Sequence, residues 1–486
     1  MKRKIDFKKW FRLNGLGLGV LLLSLLLVAC GGETALTAPA SPSPGATTAA
    51  AATTLAPTVA ATETVSGGSV TPAGLPTTTA GATTSAVTVI DSNLKGELTI
   101  WEALPDNQAS VIKDQAATFG KAYPGVKATV LHFEPDELVY QVQDGAGSGK
   151  LPDLILASAD FVTDFNAAKA LQPADKLFDS SFLSGFADNA MAGSKVDGTQ
   201  WGVAYTYSGT PVMLYNKKMV PTAPTTWDEL GKVVRPLYDA KTKSIGLAME
   251  INEPYILTSL LGGFGGAVLD SKNQPTLDTP QMVSALGYVQ TLLKDKTVRD
   301  ESRLKDNQID YAFRDGRLGV YIGGDWLINQ YASAINTTDP AAKLDLGIAP
   351  LPKIDSTGQY PVPFSDSKTF FFGAKSSGNN LTAAKTFVQW MAKPDQQASI
   401  LTKLKLLPAT KAFLASDTVK SNPVWSGLLQ QLDLGKPQPP AIEMQAVSDA
   451  LRPSLEAVVA NTMKPADAAK QMQQTVLEDV AKLAVK

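Results

Sequence analysis

The sequence predicts an α/β fold in two lobes, and three observations carry that prediction. Strand and helix patterns alternate through the opening part of the globular region. The stretch from about residue 92 to Lys486 is too long for one ordinary core. A second series of strands and helices follows the first, so the second lobe is α/β as well.

Glu97 to Trp101 alternates as a strand, and Ile112, Ala116, Phe119 and Tyr123 fall on one helical stripe that stops at Pro124-Gly125. Val126 to Leu131 predicts a second strand, Pro135 to about Ala146 a helix, Leu154 to Leu156 a third strand, and Asp160 to Ala170 a helix. This β-α-β-α-β-α order implies a largely parallel sheet covered by helices on both faces, with ligand beyond the carboxyl ends of its strands. Those ends hold Trp101 to Asn107, His132 to Asp136 and Ala157 to Asp160.

Lys195 to Trp201 forms a hairpin around Asp197-Gly198, a pair suited to the positive φ angles of a tight turn. Pro211 to Tyr215 is an apolar strand. Thr226 and Glu229 have capping-box spacing and open a helix to about Ala240. Ile245 to Met249 and Leu318 to Ile322 are strands, and Thr279-Pro280 begins a helix with Met282, Leu286, Val289 and Leu293 on one face. From Glu443 to Lys486 the pattern is helical, with a bend or break expected at Arg452-Pro453.

Composition narrows the function. A formal net charge of -2 indicates no basic face for nucleic acid. The single cysteine, Cys30, leaves no disulfide, and one histidine, His132, provides no Cys/His ligand set for zinc; no metal site or cofactor is expected. Asp144 to Lys150 is glycine-rich but fails as a phosphate loop, because the glycine spacing is wrong, Leu151 stands where Ser/Thr is required, and a strand follows.

Ahead of Cys30 lie a basic segment (Lys2, Arg3, Lys4, Lys8, Lys9, Arg12) and an apolar run from Leu13 to Val28, the makings of an export signal. Leu27-Val28-Ala29-Cys30 resembles the lipobox of bacterial lipoproteins, which implies lipidation of Cys30 and a domain held outside the cytoplasm, at the outer face of the cell membrane. An uncleaved membrane anchor is the alternative, since the apolar run is borderline for spanning. Residues 31–92 are Ala, Thr, Pro, Ser and Gly with almost no charge, too poor in apolar surface to fold. A tether of roughly 60 residues spans about 40 Å.

The order of motifs in the globular region resembles the family 1 extracellular solute-binding proteins of sugar ABC importers. The matching runs are Gly96 to Trp101, Leu151 to Ile155, Leu214 to Lys217 and Pro224 to Leu230. Glu253-Pro254-Tyr255 and Gly323-Gly324-Asp325-Trp326 push the resemblance towards the maltose-binding branch. It implies a periplasmic-binding-protein-like fold, two α/β lobes joined by hinge segments around a ligand cleft, acting as a monomer. Lobe one takes 93–208 and about 356–404, and lobe two about 209–355 and 405–486.

The resemblance also implies site residues. Glu253, Pro254 and Tyr255 match a cleft segment in which a carboxylate accepts hydroxyl hydrogen bonds and an aromatic ring faces the sugar. Trp326 matches a stacking tryptophan, with Asp325 beside it; Asp160 matches a carboxylate of the opposite lobe; Arg452 matches an arginine; and Asp106 or Asn107 lies where a polar sugar contact falls. Ala157, Ser448 and Asp449 replace aromatic platforms, and Gly209 stands where a further carboxylate is usual, so a shorter or different saccharide fits better than a long maltodextrin.

Each residue has a plainer role open to it. Trp101 and Trp227 suit the core, Glu253 and Asp325 suit helix starts, Arg452 suits a surface ion pair, and His132 suits a strand end near the cleft mouth. Three functions follow. A lipid-anchored receptor would close on a mono- or oligosaccharide and deliver it to a membrane permease. An extracellular glycoside hydrolase would need two carboxylates roughly 5 to 9.5 Å apart, with Asp160, Glu253 and Asp325 as candidates. A sensor lipoprotein without transport would share the receptor's features.

Overall fold

The computed structural model describes residues 93–298, 306–441 and 443–483. The export signal, Cys30 and the tether lie outside the described residues. Among the described residues, no helix is long and apolar enough to cross a membrane.

Two α/β lobes are present, each built on its own mixed sheet. In the first, strand Gly96–Glu102 pairs in parallel with Val126–His132 on one side and Leu154–Ser158 on the other. The sheet is then extended by Lys368–Gly373, which runs antiparallel to Leu154–Ser158 and to Gly202–Ala204. A largely parallel sheet was expected from local order; its first three strands are parallel, and the late antiparallel strand arrives from 210 residues further along. Helix Asp106–Ala122 covers this sheet with Ile112, Ala116 and Phe119, the predicted stripe, and Phe119 meets Phe387 edge-on at 5.1 Å.

The second sheet orders Ile245–Met249, Leu318–Gly324, Pro211–Asn216 and Leu346–Ala349. Its first pair is parallel, while Pro211–Asn216 runs antiparallel to both neighbours. Met282, Leu286 and Val289 of helix Pro280–Lys294 are fully buried against this lobe, and Trp227 is core as well. The hairpin forms as predicted, with Asp197 and Gly198 at φ 50° and 79°.

Four local expectations differ. The segment after Asp160 is a 3₁₀ turn, Ala159–Phe161, followed by a short helix, Val162–Ala167. The helix capped by Thr226 ends at Val234, because Pro236 lacks the N–H to continue it. Pro453 lies inside one helix, Glu443–Val459; the break falls later, at Asn461, whose φ is 56°. Finally, Leu407–Pro408, expected with the second lobe, pairs with Thr206–Tyr207, and Ala187 N–H donates to Ala409 O, which keeps that stretch against the first lobe.

The chain crosses between the sheets on paired strands. Ser208 and Asp366 exchange backbone hydrogen bonds of 3.1 and 2.8 Å, and Phe364–Ser365 pairs in parallel with Lys436–Pro437. These crossings form the floor on which the site is built.

Candidate ligand-binding site

A cavity of about 160 Å³ opens beside the crossing strands. One wall comes from the start of helix Pro254–Gly263, one from Trp326, and one from helix Glu443–Val459 through Met444, Val447, Ser448 and Leu451. Gly209, Phe364 and Gln438 close it on the crossing side.

Pro254 occupies the first helical position, where the missing N–H is no loss. That places Tyr255 on the cavity wall, its ring 6.0 Å from the Trp326 ring at 72°, an edge-to-face pair. Burial, then the carboxylates of Glu250 and Glu253, push the Tyr255 hydroxyl well above its ordinary range, so it stays a neutral hydrogen-bonding group. Trp326 is 47% exposed, an unusual state for so large an apolar side chain. Its indole folds back over Gly324, where a methyl group would lie 2.1 Å from the ring.

Glu253 and Arg452 come together. Arg452 Nη1 donates to Glu253 Oε1 and Nη2 to Oε2, each at 2.7 Å, a two-point ion pair between helix starting at Pro254 and helix Glu443–Val459. The resemblance implied two separate ligand contacts, and the plainer reading an ion pair for Arg452; in the structure each is the other's partner.

Asp325 is 1% exposed and is spent on the crossing. Both its oxygens accept from Gly209 N–H, at 3.1 and 3.0 Å, while its own N–H donates to Thr210 O at 3.0 Å. Burial pushes its carboxyl up to about 7, against the opposing pull of the Gly209 N–H. Gly209 itself sits at φ 77°, and a Cβ there would meet Asp366 Cβ at 2.6 Å, so glycine replaces the expected carboxylate for a backbone reason.

Asp160 lies behind Gln438, whose Nε2 donates to its Oδ2 at 3.3 Å. Its Oδ1 is buried without a hydrogen-bond partner among the described residues. Burial and the nearby Asp366 raise its carboxyl to about 7, and Lys368 opposes them. Asp106 and Asn107 begin helix Asp106–Ala122 in exposed positions and do not line the cavity; Asp106 lies beside His132 instead. Ala157 is fully buried in its strand, Ser448 lines the cavity, and Asp449 is exposed.

Sequence reasoning missed Phe364, Gln438 and Met444. Phe364 and Gln438 belong to or follow two-residue strands too short to carry a periodic signal. Met444 is one residue of an ordinary amphipathic helix.

Two α/β lobes with a partly apolar cavity beside their crossing strands give the chain a concave ligand site. The chain belongs to the family described as bacterial extracellular solute-binding protein, whose signature matches residues 114–425. Within it the chain is maltose-binding-like. It is 27% identical over 393 residues to the maltotriose-binding protein of Pyrococcus abyssi, covering 79% of this chain and 83% of the relative. Over 311 residues it is 25% identical to the maltodextrin-binding protein MdxE of Bacillus subtilis, covering 62% of this chain and 70% of that one. The maltose/maltodextrin-binding domain MalE from Bdellovibrio bacteriovorus, solved with maltotriose, superposes with a TM-score of 0.67 at 25% identity, covering 79% of this chain and 100% of that domain. Family and relatives are binding proteins, and this chain is a binding protein rather than an enzyme.

Proposed function

We propose that this chain is the substrate-binding lipoprotein of a carbohydrate ABC importer. It captures a short saccharide between its lobes, closes by hinge motion and delivers the sugar to a membrane permease, while Cys30 carries the lipid that keeps it at the membrane. The saccharide-binding names of its relatives support this reading, among them a solute-binding lipoprotein of a maltooligosaccharide ABC transporter in Streptococcus pneumoniae, 22% identical over 363 residues.

The observation that carries the reading is the Tyr255–Trp326 pair on the cavity wall. Sugars present CH faces that aromatic rings cover and hydroxyl rims that need polar partners. Tyr255, Gln438 and Ser448 offer those partners, and the Glu253–Arg452 ion pair ties together the two helices that carry Tyr255 and Ser448. The cavity is small against the roughly 300–1,000 Å³ of common ligand pockets, and Ser448 adds no ring, so a short saccharide fits best.

The full chain, mixed with a panel of mono- and oligosaccharides, is expected to show a raised melting temperature with one or a few short sugars, with dissociation constants in the micromolar range, about -8 kcal/mol, and no cleavage product. No shift with any sugar across a broad panel would overturn the proposal. Loss of the lipid-modified form in a Cys30→Ala variant, read by mass, tests the anchor separately.

A further inference from the structure

We propose that Asp106, His132 and Glu134 form a binding site for a divalent transition-metal cation, of which Zn²⁺ suits the donors best. The site lies outside the cavity and is independent of the saccharide reading.

Parallel pairing of strands Gly96–Glu102 and Val126–His132 sets Glu102 opposite His132 at the carboxyl edge of the first sheet. Asp106 begins the helix after the first strand, and Glu134 stands at the N-cap position of the helix after the second, its side chain making no capping bond. Two turns thereby converge on one imidazole, and one ligand atom from each of the three residues lies within 4.8 Å of the others.

The imidazole is oriented as a metal-binding histidine is. Nδ1 lies 2.9 Å from Oε1 of Glu102, a fully buried carboxylate whose Oε2 accepts from Leu104 N–H at 2.8 Å. With Glu102 ionised, Nδ1–H donates to it, and in the neutral ring Nε2 then presents its lone pair towards Asp106. A carboxylate on the far nitrogen is the usual outer partner of a metal-bound histidine. Nε2 is buried, makes no hydrogen bond among the described residues, and stands 3.2 Å from Asp106 Oδ1. Two acceptors at that separation need positive charge between them. Zinc with bonds of about 2.1 Å has a tetrahedral edge of about 3.4 Å, close to this spacing.

The mixed donor set selects the class of ion. Calcium and magnesium take six or more oxygens and leave imidazole aside, whereas one nitrogen and two carboxylates with water in the remaining position is a zinc-type environment. The dipoles of the two helix starts oppose a cation there, so affinity in the micromolar range is expected. A count of Cys and His overlooks such a site because its other donors are carboxylates. The alternative arrangement is a protonated His132 bridging Glu102 and Asp106 with no metal.

His132 is the only histidine in the sequence, which makes the test clean. The full chain, kept in detergent, labelled with ¹⁵N-histidine and carrying no polyhistidine tag, is titrated with ZnCl₂ and separately with MgCl₂. The expected result is a shift of the Nε2 resonance that saturates at one equivalent of zinc, reverses with EDTA, and is absent with magnesium. Glu134→Gln, an exposed change that leaves Glu102 paired, is expected to weaken zinc binding at least about fivefold, and Asp106→Asn likewise. A resonance that responds to pH but not to zinc, or zinc binding unaltered in both variants, would overturn the site.

Discussion

Arg452 grips Glu253 through both guanidinium nitrogens at 2.7 Å, tying the residue before helix Pro254–Gly263 to the middle of helix Glu443–Val459 across 199 residues of sequence. Arg452 is 35% exposed and Glu253 23%, so solvent screens the pair in part. A double-mutant cycle with Glu253→Ala and Arg452→Ala, read by urea unfolding, is expected to give a coupling of about 1 kcal/mol. Each single change should also weaken saccharide binding, since both helices wall the cavity. Additive stability effects with unchanged affinity would place the pair outside the site.

Trp326 contributes ring surface more than fold stability, because nearly half of it faces solvent. Trp326→Ala is expected to lower saccharide affinity roughly three- to tenfold, the worth of about 0.5–1.5 kcal/mol of aromatic contact, while shifting the melting temperature little. A collapse in melting temperature would mean the ring is structural.

Asp325 predicts a pH dependence. Its carboxyl is pushed up to about 7 in the folded chain, against about 4 when unfolded. Between those values the native state holds a proton that the unfolded state has released. The group's contribution is therefore fully present below about pH 4 and is lost as pH rises to about 7. The stability difference between the native protein and Asp325→Asn, followed by denaturant titration, should move against the native protein over that window. A flat difference would show that Asp325 is ionised throughout.

Gly209 is expected to resist substitution. Gly209→Ala must hold an L side chain at φ 77° with its methyl against Asp366, and a loss of more than about 1 kcal/mol is expected. Thr226→Ala, which removes the cap on Glu229 N–H at 3.2 Å, should cost about 1 kcal/mol without changing ligand affinity. Calorimetry on the two variants separates them: the first alters binding and stability, the second stability alone.

Local features were legible where one short segment sets its own geometry. The Asp197-Gly198 turn, the Thr226 cap and the buried stripe of Ile112, Ala116 and Phe119 follow from backbone preference and periodicity. The family motifs located Tyr255 and Trp326, which do meet at the cavity. Pro453 misled, because its neighbours Leu451 and Leu455 are buried and tertiary packing keeps the helix continuous through it. Asp325 misled in another way. An acidic residue beside a tryptophan suggested ligand contact, yet its oxygens hold Gly209, 116 residues away in sequence.

By itself, the sequence determined the alternation of strands and helices, the division into two lobes and the kind of side chain available to a ligand, since periodicity, turn chemistry and composition act over a few residues. Only the tertiary structure decided which of those side chains are free. Glu253 is taken by Arg452, Asp325 by Gly209 and Nδ1 of His132 by Glu102, while Trp326 is left open to solvent. Partner choice among polar groups depends on burial and on chain crossings between distant segments, and no local pattern encodes either.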